Sequence, residues 1–240
     1  MPTKPTLKNF LRSVCFPGLT AKAKYFSLAQ LRQLLVRHDV PAESATLLRY
    51  LHDAVAEGVI HDAGRGWYSS LATAFTLNRE PVRELVAALE KRFPLLEFSC
   101  WSTEQVASYG HLQLARFVAF VHTERDAMES VTEALRDAGW SAWLNPTQQE
   151  AVKSFRVTEK TVVVRPVVSR APVDGKFASI EKLLVDLCVE SAAMQPMDAG
   201  EYQRLVANLA GSARISVGTL AHYAERRSLK PEAVLPGVIS

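Results

Sequence analysis

Nowhere does the chain approach the roughly 18 consecutive apolar residues that a membrane span needs, and its opening, MPTKPTLKNF, holds no apolar signal core, so a cytoplasmic protein is expected. Cysteine is scarce. Cys15, Cys100 and Cys188 are odd in number and far apart, which excludes a disulfide framework and leaves reduced structural thiols. The six histidines form no His-Glu-x-x-His string and pair with no cysteine, so neither a metal nor a cofactor is expected. Internal repeats and low-complexity segments are absent.

Catalytic signatures are missing as well. Ser179-Ile180-Glu181-Lys182 matches an S-x-x-K string, but its companion motifs are lacking and a helix N-cap accounts for Ser179. No Asp-x-Asp or Asp-x-Glu strand follows Gly211-Ser212, as metal-dependent nucleotidyl transfer would need. A restriction-type nuclease requires Glu-x-Lys on a strand, whereas Glu159 and Lys160 are adjacent and face opposite sides. The chain therefore reads as a non-enzyme.

What is present is an ordinary globular composition, 48% hydrophobic and 22% charged, in a chain of 240 residues, enough for two cores. The net charge of +3 is unevenly placed: residues 1–70 carry nine Lys or Arg against five Asp or Glu, leaving nineteen against twenty for the rest. A basic N-terminal domain (residues 1–75) and a near-neutral second domain (residues 76–240) follow, and phosphate attraction explains such an excess.

Residues 41–68 organise the first domain. On a helical projection Ser44, Leu47, Leu48, Leu51 and Val55 share one side, and Thr46, Arg49, Tyr50 and Asp53 the other. Pro41 suits the first helical position, Glu43 complements the positive helix end, and Gly58 suits a left-handed stop. Val59 and Ile60 can then pair with Trp67 and Tyr68 across a loop whose two glycines permit positive φ, with Arg65 at its tip. Upstream, Ser27 and Gln30 form a capping box and Phe26 staples Leu31, starting a helix over 28–38 that Asp39 and Val40 join to the next. Leu7, Phe10, Leu11 and Val14 repeat at helical spacing, and residues 15–23 read as a loop around Pro17 and Gly18. Three helices and a hairpin of this order predict a winged helix-turn-helix. Thr46, Arg49 and Tyr50 are the candidate contacts of its recognition helix, Arg65 that of the wing, and Lys22 and Lys24 general attractors of phosphate. Trp67 is expected in the core beneath the wing.

In the second domain a helix over 81–92 presents Val82, Leu85, Val86 and Leu89, and strands are expected at 95–100, 116–122, 140–144 and 160–168. The run RFVAFVH is apolar on both faces and should be central. A helix over 125–138 ends at Gly139, and Ser102 with Gln105 and Thr147 with Glu150 mark further starts. Alternation of this kind predicts a mixed α/β sheet with a helical C-terminal part: Ile180, Leu183, Leu184 and Leu187 on one helix, further helices at 199–210 and 217–227, and an extended Pro-rich tail. Lys182 and Asp186 fall off the apolar stripe and so are expected on a surface that tolerates change. Arg165 and Arg170 flank the most β-branched strand, either as an anionic contact or as solvated charges at its end, the latter being the commoner case.

The two halves together resemble the AbiEi family of antitoxins. The resemblance lies in RYLHDAVAEGVIHDAGRGWY at 49–68, Trp101-Ser102, and VVVRPVVSRAPVDGKFASIEKLLVDL at 162–187, whose S-x-E-K-x-L-x-D-L helix is its most specific part. It implies a winged helix that binds operator DNA and represses its operon, and a second domain that opposes a nucleotidyltransferase toxin, with Lys182 and Asp186 as the probes of the antitoxin surface. The alternatives are a nuclease-like defence enzyme with a winged-helix specificity module and a ligand-responsive regulator.

Overall fold

The computed structural model describes residues 6–110, 116–194 and 198–239. Its first core forms where the apolar sides of three helical segments meet. α1 (Leu7–Phe10), a π-helical turn (Leu11–Cys15) and α2 (Phe16–Thr20) follow one another without a break and bury Phe10, Leu11, Cys15 and Phe16. The expected loop at 15–23 is thus helical as far as Thr20. A proline carries no N–H and its ring crowds the carbonyl four residues back, and the wide turn just before Pro17 relieves both demands.

β1 (Tyr25–Ser27) leads into α3 (Leu28–Arg37), whose capping box is complete: Gln30 N–H donates to Ser27 Oγ at 3.1 Å, and Ser27 N–H to Gln30 Oε1 at 2.7 Å. α4 (Ser44–Ala56) begins later than expected, leaving Pro41 in the lead-in and Glu43 at the N-cap, and it stops at Gly58 with φ +71°. β2 is His61–Asp62, pairing with Tyr68 and Ser69 of β3 (Trp67–Ser69). The hairpin is therefore shifted from the expected pairing, because Ile60 is drawn fully into the core and Val59 turns outward. β1, too short to show alternation in sequence, completes a three-stranded antiparallel sheet of order β1-β3-β2.

The second body is a six-stranded sheet, β6-β7-β5-β4-β9-β8, and the fold as a whole is mixed α and β. Its elements are α5 (Glu80–Arg92), β4 (Phe98–Ser102), a 3₁₀ helix (Thr103–Tyr109), β5 (Val118–Thr123), α6 (Met128–Asp137), β6 (Ser141–Leu144), α7 (Gln148–Ser154), β7 (Thr161–Pro166), β8 (Val173–Asp174), β9 (Phe177–Ala178), α8 (Ile180–Met194), α9 (Ala199–Ser212), α10 (Val217–Arg226) and α11 (Pro231–Val234). β5, β6 and β7 run parallel and β4 antiparallel to β5. β5 lies inside the sheet and is buried throughout, as its apolar run requires. Alternate residues divide between two layers: Cys100, Val121, Val162 and Val164 face α5 and α6, and Trp101, Phe120 and Val163 face α8, α9 and α10. β4 begins at Phe98, not at Leu95, which is 95% exposed. The tail is not an extended surface strand. α11 buries Val234 and Leu235 against α8, and Ile239 follows them into the core. No helix among the described residues is long and apolar enough to cross a membrane.

The two bodies are closely joined. Phe26, Leu31, Leu47 and Ile60 form a cluster of their own, but Tyr25 and Ala63 belong to the larger core. The Tyr25 hydroxyl donates to Ala213 O at 3.2 Å and accepts from Ile215 N at 3.0 Å, and Gly218 N–H donates to Ala63 O at 3.1 Å. Gly218 touches the hairpin so closely that an added Cβ would stand 2.4 Å from Gly64 O. Gly218→Ala is accordingly expected to lower stability by about 1–3 kcal/mol. Gly211→Ala, in α9 with open space around it, should instead be neutral or gain up to about 1 kcal/mol; urea denaturation of both variants is the check.

Candidate functional site

Two places gather chemistry: the free side of α4, and the end of the six-stranded sheet beneath α8 and α10. On α4 the buried residues are Leu47, Leu51 and Ala54, and Ala45, Leu48, Arg49, His52 and Ala56 are exposed. The free strip is rotated from the one expected. Arg49 is on it, with its guanidinium 5.2 Å from the Tyr50 ring centre, but Thr46 and Tyr50 are half-buried, Tyr50 against the first core and Thr46 bonded to Glu43 at 3.4 Å. Leu48, assigned to the packed side, is 47% exposed, and His52 joins the strip unforeseen. A helix that contacts its core through so narrow a stripe leaves its flanks open. α3 stands beside this face, with Arg32 Nη2 3.4 Å from Ser44 Oγ.

Arg65 is exposed at the hairpin loop in a left-handed conformation, φ +42°. The loop does not project freely, since Asp62 Oδ1 accepts from Gly64 N–H at 3.2 Å and Gly64 rests on Ser216 and Gly218 of the second body. Trp67, expected in the core beneath the wing, is half-buried and packs instead against the larger core of the second body. Lys22 and Lys24 are exposed but line a cleft of about 270 Å³ with Ala207, Ala210 and Gly211 of α9, not the face of α4. The structure therefore does not gather these cations with Arg49.

Lys182 and Asp186 are not on a surface. Both side chains are fully buried and ion-paired one helical turn apart. The reason is that α8 is enclosed by its neighbours: α7, α9, α10 and α11 all pack against it, and its polar positions 182, 186 and 190 lie over the sheet. There, one row of paired strand residues is polar, Ser99 opposite His122 and His122 opposite Arg165. His122 Nε2 stands 3.5 Å from Asp186 Oδ2 without making a hydrogen bond. From α10, the Tyr223 hydroxyl donates to Asp186 Oδ1 at 2.9 Å, and Arg227 Nε lies 3.3 Å from that oxygen. Arg165 forms a forked pair with Glu190, at 2.9 and 2.6 Å, and also donates to Pro146 O at 2.7 Å. It is not a solvated strand-end charge.

Burial, reinforced by the Lys182 charge, pushes the His122 imidazole from its usual 6.5 down to about 3, against the pull of Asp186. Burial likewise lowers Lys182, opposed by Asp186. For Asp186 burial acts upward, but Lys182, His122 and Arg227 together hold the carboxyl below its ordinary range. Burial and the Asp186 charge raise the Tyr223 phenol, keeping it a donor. Sequence offered one usable sign of this cluster, polar residues at 182, 186 and 190 inside an otherwise apolar helix. Nothing in it indicated that Tyr223 and Arg227, some forty residues away, would meet Asp186.

Beside the cluster, a cleft of about 210 Å³ opens at the end of the sheet, walled by Ser99, Glu124, Ser169 and Arg170 among others. No group of three or more His, Cys, Asp or Glu placed to hold a metal ion occurs among the described residues.

Removing one partner of a buried pair strands the other's charge, so Asp186→Ala should cost roughly 3–5 kcal/mol in urea denaturation. The double variant Lys182→Met/Asp186→Leu should cost less than Asp186→Ala alone. The pH dependence has a definite sign. Below about pH 6.5 the unfolded chain protonates this histidine while folded His122 stays neutral until about pH 3, so stability falls as acid is added. Depressed Asp186 acts in the same direction. Denaturation curves between about pH 7 and pH 4 should show a slope that His122→Phe reduces by as much as about 1.4 kcal/mol per pH unit.

The match to known sequences begins inside α4 and ends in α11, taking in the hairpin, the ionic cluster and the cleft. No curated protein and no solved structure matches the chain. The sequence profile of a family of unknown function, DUF6577, matches residues 46–234, and the chain belongs to that family.

Proposed function

We propose that the chain is a DNA-binding repressor and antitoxin. In this reading its N-terminal part is a winged helix-turn-helix, α3 and α4 forming the helix pair and β1, β3 and β2 the wing sheet. The observation that carries it is the open strip of α4, with Arg49 at its middle, on a helix held from behind by Leu47, Leu51 and Ala54. An α-helix free on one side enters a major groove, and an arginine there reads guanine by two hydrogen bonds. His52 and Leu48 extend the same strip, Leu48 suited to a thymine methyl. The excess of nine cations over five anions in residues 1–70 supplies the attraction to phosphate. Arg65, on a loop braced by α10, contacts the backbone flanking the groove.

The second domain serves as the antitoxin part, opposing a nucleotidyltransferase toxin, on the strength of the resemblance in its strand–linker–helix segment. With Lys182 and Asp186 internal, the protective surface lies on other residues of that domain.

The test is a mobility shift of the full chain on the DNA upstream of its own reading frame, at several salt concentrations. Arg49→Ala should weaken binding by about 1–3 kcal/mol and relax sequence preference, and Arg65→Ala should chiefly flatten the salt dependence. Co-expressed with the neighbouring toxin, Arg49→Ala should lose repression of a reporter and keep protection of growth. Unchanged DNA binding in both variants would remove the DNA-reading role.

A further inference from the structure

The carboxyl ends of β5 and β7 lie side by side, and the chain leaves them toward opposite faces of the sheet. β5 leads into α6, on the α5 side, and β7 leads through β8 and β9 into α8, on the other. Where adjacent parallel strands part in this way a crevice opens between their connections, and open α/β sheets bind ligands there. In this chain the crevice is the cleft of about 210 Å³, walled by Glu124 after β5, by residues 167–171 after β7 and by the start of β4.

Its lining is chemically unfinished. Ser99 is 4% exposed, forms part of the wall, and its hydroxyl has no partner. A buried hydroxyl left unpaired costs about 1–3 kcal/mol, a cost that a ligand oxygen removes. Ser169 accepts from Arg226 Nη1 at 3.0 Å, which leaves its own proton free to donate. Arg226 keeps a buried Nε without a partner. Arg170, exposed on the wall, makes no ion pair among the described residues.

We propose that this cleft binds a small phosphomonoester, its phosphoryl group held by the hydroxyls of Ser99 and Ser169 and the guanidinium of Arg170, with Arg226 behind Ser169 orienting its hydroxyl. The donors on the wall come from β4 and from the loop after β7, and two hydroxyls beside a guanidinium can serve the several oxygens of a phosphoryl group. Arg170 supplies a guanidinium on the wall, and Arg226, bonded to Ser169, adds a second positive charge behind it. Two acidic residues also border the cleft. Glu97 is turned to solvent, its side chain 85% exposed and 3.5 Å from Lys176, and Glu124 is exposed. They repel a polyanion, so the rest of the ligand is neutral or cationic and nucleic acid is excluded from this cleft. The site is independent of the face of α4.

Phosphoethanolamine and inorganic phosphate are the probes, titrated at millimolar concentration into the full chain and followed by amide NMR and calorimetry, with ethanolamine and acetate as controls. Both phosphates should shift the signals of Ser99, Glu124 and residues 167–171, and the controls should not. Arg170→Ala and Ser169→Ala, both exposed positions that leave the remaining spectrum intact, should each weaken phosphoethanolamine about tenfold. Ser99→Val, which removes the free donor, should do the same. Affinity unchanged in Arg170→Ala and Ser169→Ala, or shifts scattered over surface lysines, would overturn the site. Acetate competing as well as phosphate would overturn the phosphoryl assignment.

Discussion

The second body of this protein is assembled around one buried carboxylate. Asp186 is approached by Lys182 from its own helix, by His122 from β5, by Tyr223 from α10 and by Arg227 just beyond it. Taking these groups out of water costs several kcal/mol per charge, and their mutual attraction does little more than recover it. The net drive to fold comes instead from Leu183, Leu184, Leu187, Phe120 and the other apolar side chains around them. What the carboxylate adds is discrimination. An apolar α8 could slide or turn over the sheet at little cost, whereas a helix whose 186 position meets a phenol and a guanidinium from α10 and its end, and an imidazole from β5, is held in one seat. The forked Arg165–Glu190 pair, one turn further along α8, fastens the same helix to β7.

That seat also explains why the C-terminal third wraps as it does. With α8 given over to the sheet on its polar side, its other sides need covering, and α9, α10 and α11 supply the cover. The Tyr202 hydroxyl lies within hydrogen-bonding reach of Leu184 O at 3.1 Å and Val234 O at 2.8 Å, tying the closing turn to the central helix. The proline-containing tail is part of the core for this reason, although Pro231 and Pro236 alone suggest an exposed strand.

Local chemistry made much of the fold legible. Side-chain caps at Ser27, Ser102, Thr147, Asp198 and Ser216 mark helix starts where the structure has them, and the apolar runs of β5 and β7 sit inside the sheet as such runs must. The failures have separate causes. A stretch such as Ile180 to Glu190 shows which residues are polar but not whether a neighbouring helix will bury them, so Lys182 and Asp186 looked external. The π turn before Pro17 and the three-residue β1 have no pattern long enough to read. The α4 strip was displaced because Leu48 counts as apolar in any projection, while the core contact of this helix runs through Leu47, Leu51 and Ala54 and leaves Leu48 outside it. Of the candidate sites, Arg49 was within reach of sequence. The cleft was not, because its walls come from residues 97–99, 124 and 167–175 and meet only through strand order.

The contact between Gly64 and Gly218 is backbone against backbone, with no side chain between them to absorb displacement. α10 carries that contact at its first turn, and at its far end Arg226 is bonded to Ser169 and Arg227 flanks Asp186. A ten-residue helix is a rod about 15 Å long and stiff along its axis. Loop 63–66 therefore has no slack against the first turn of α10: a shift of that turn toward the hairpin meets backbone, not a side chain that could rotate aside.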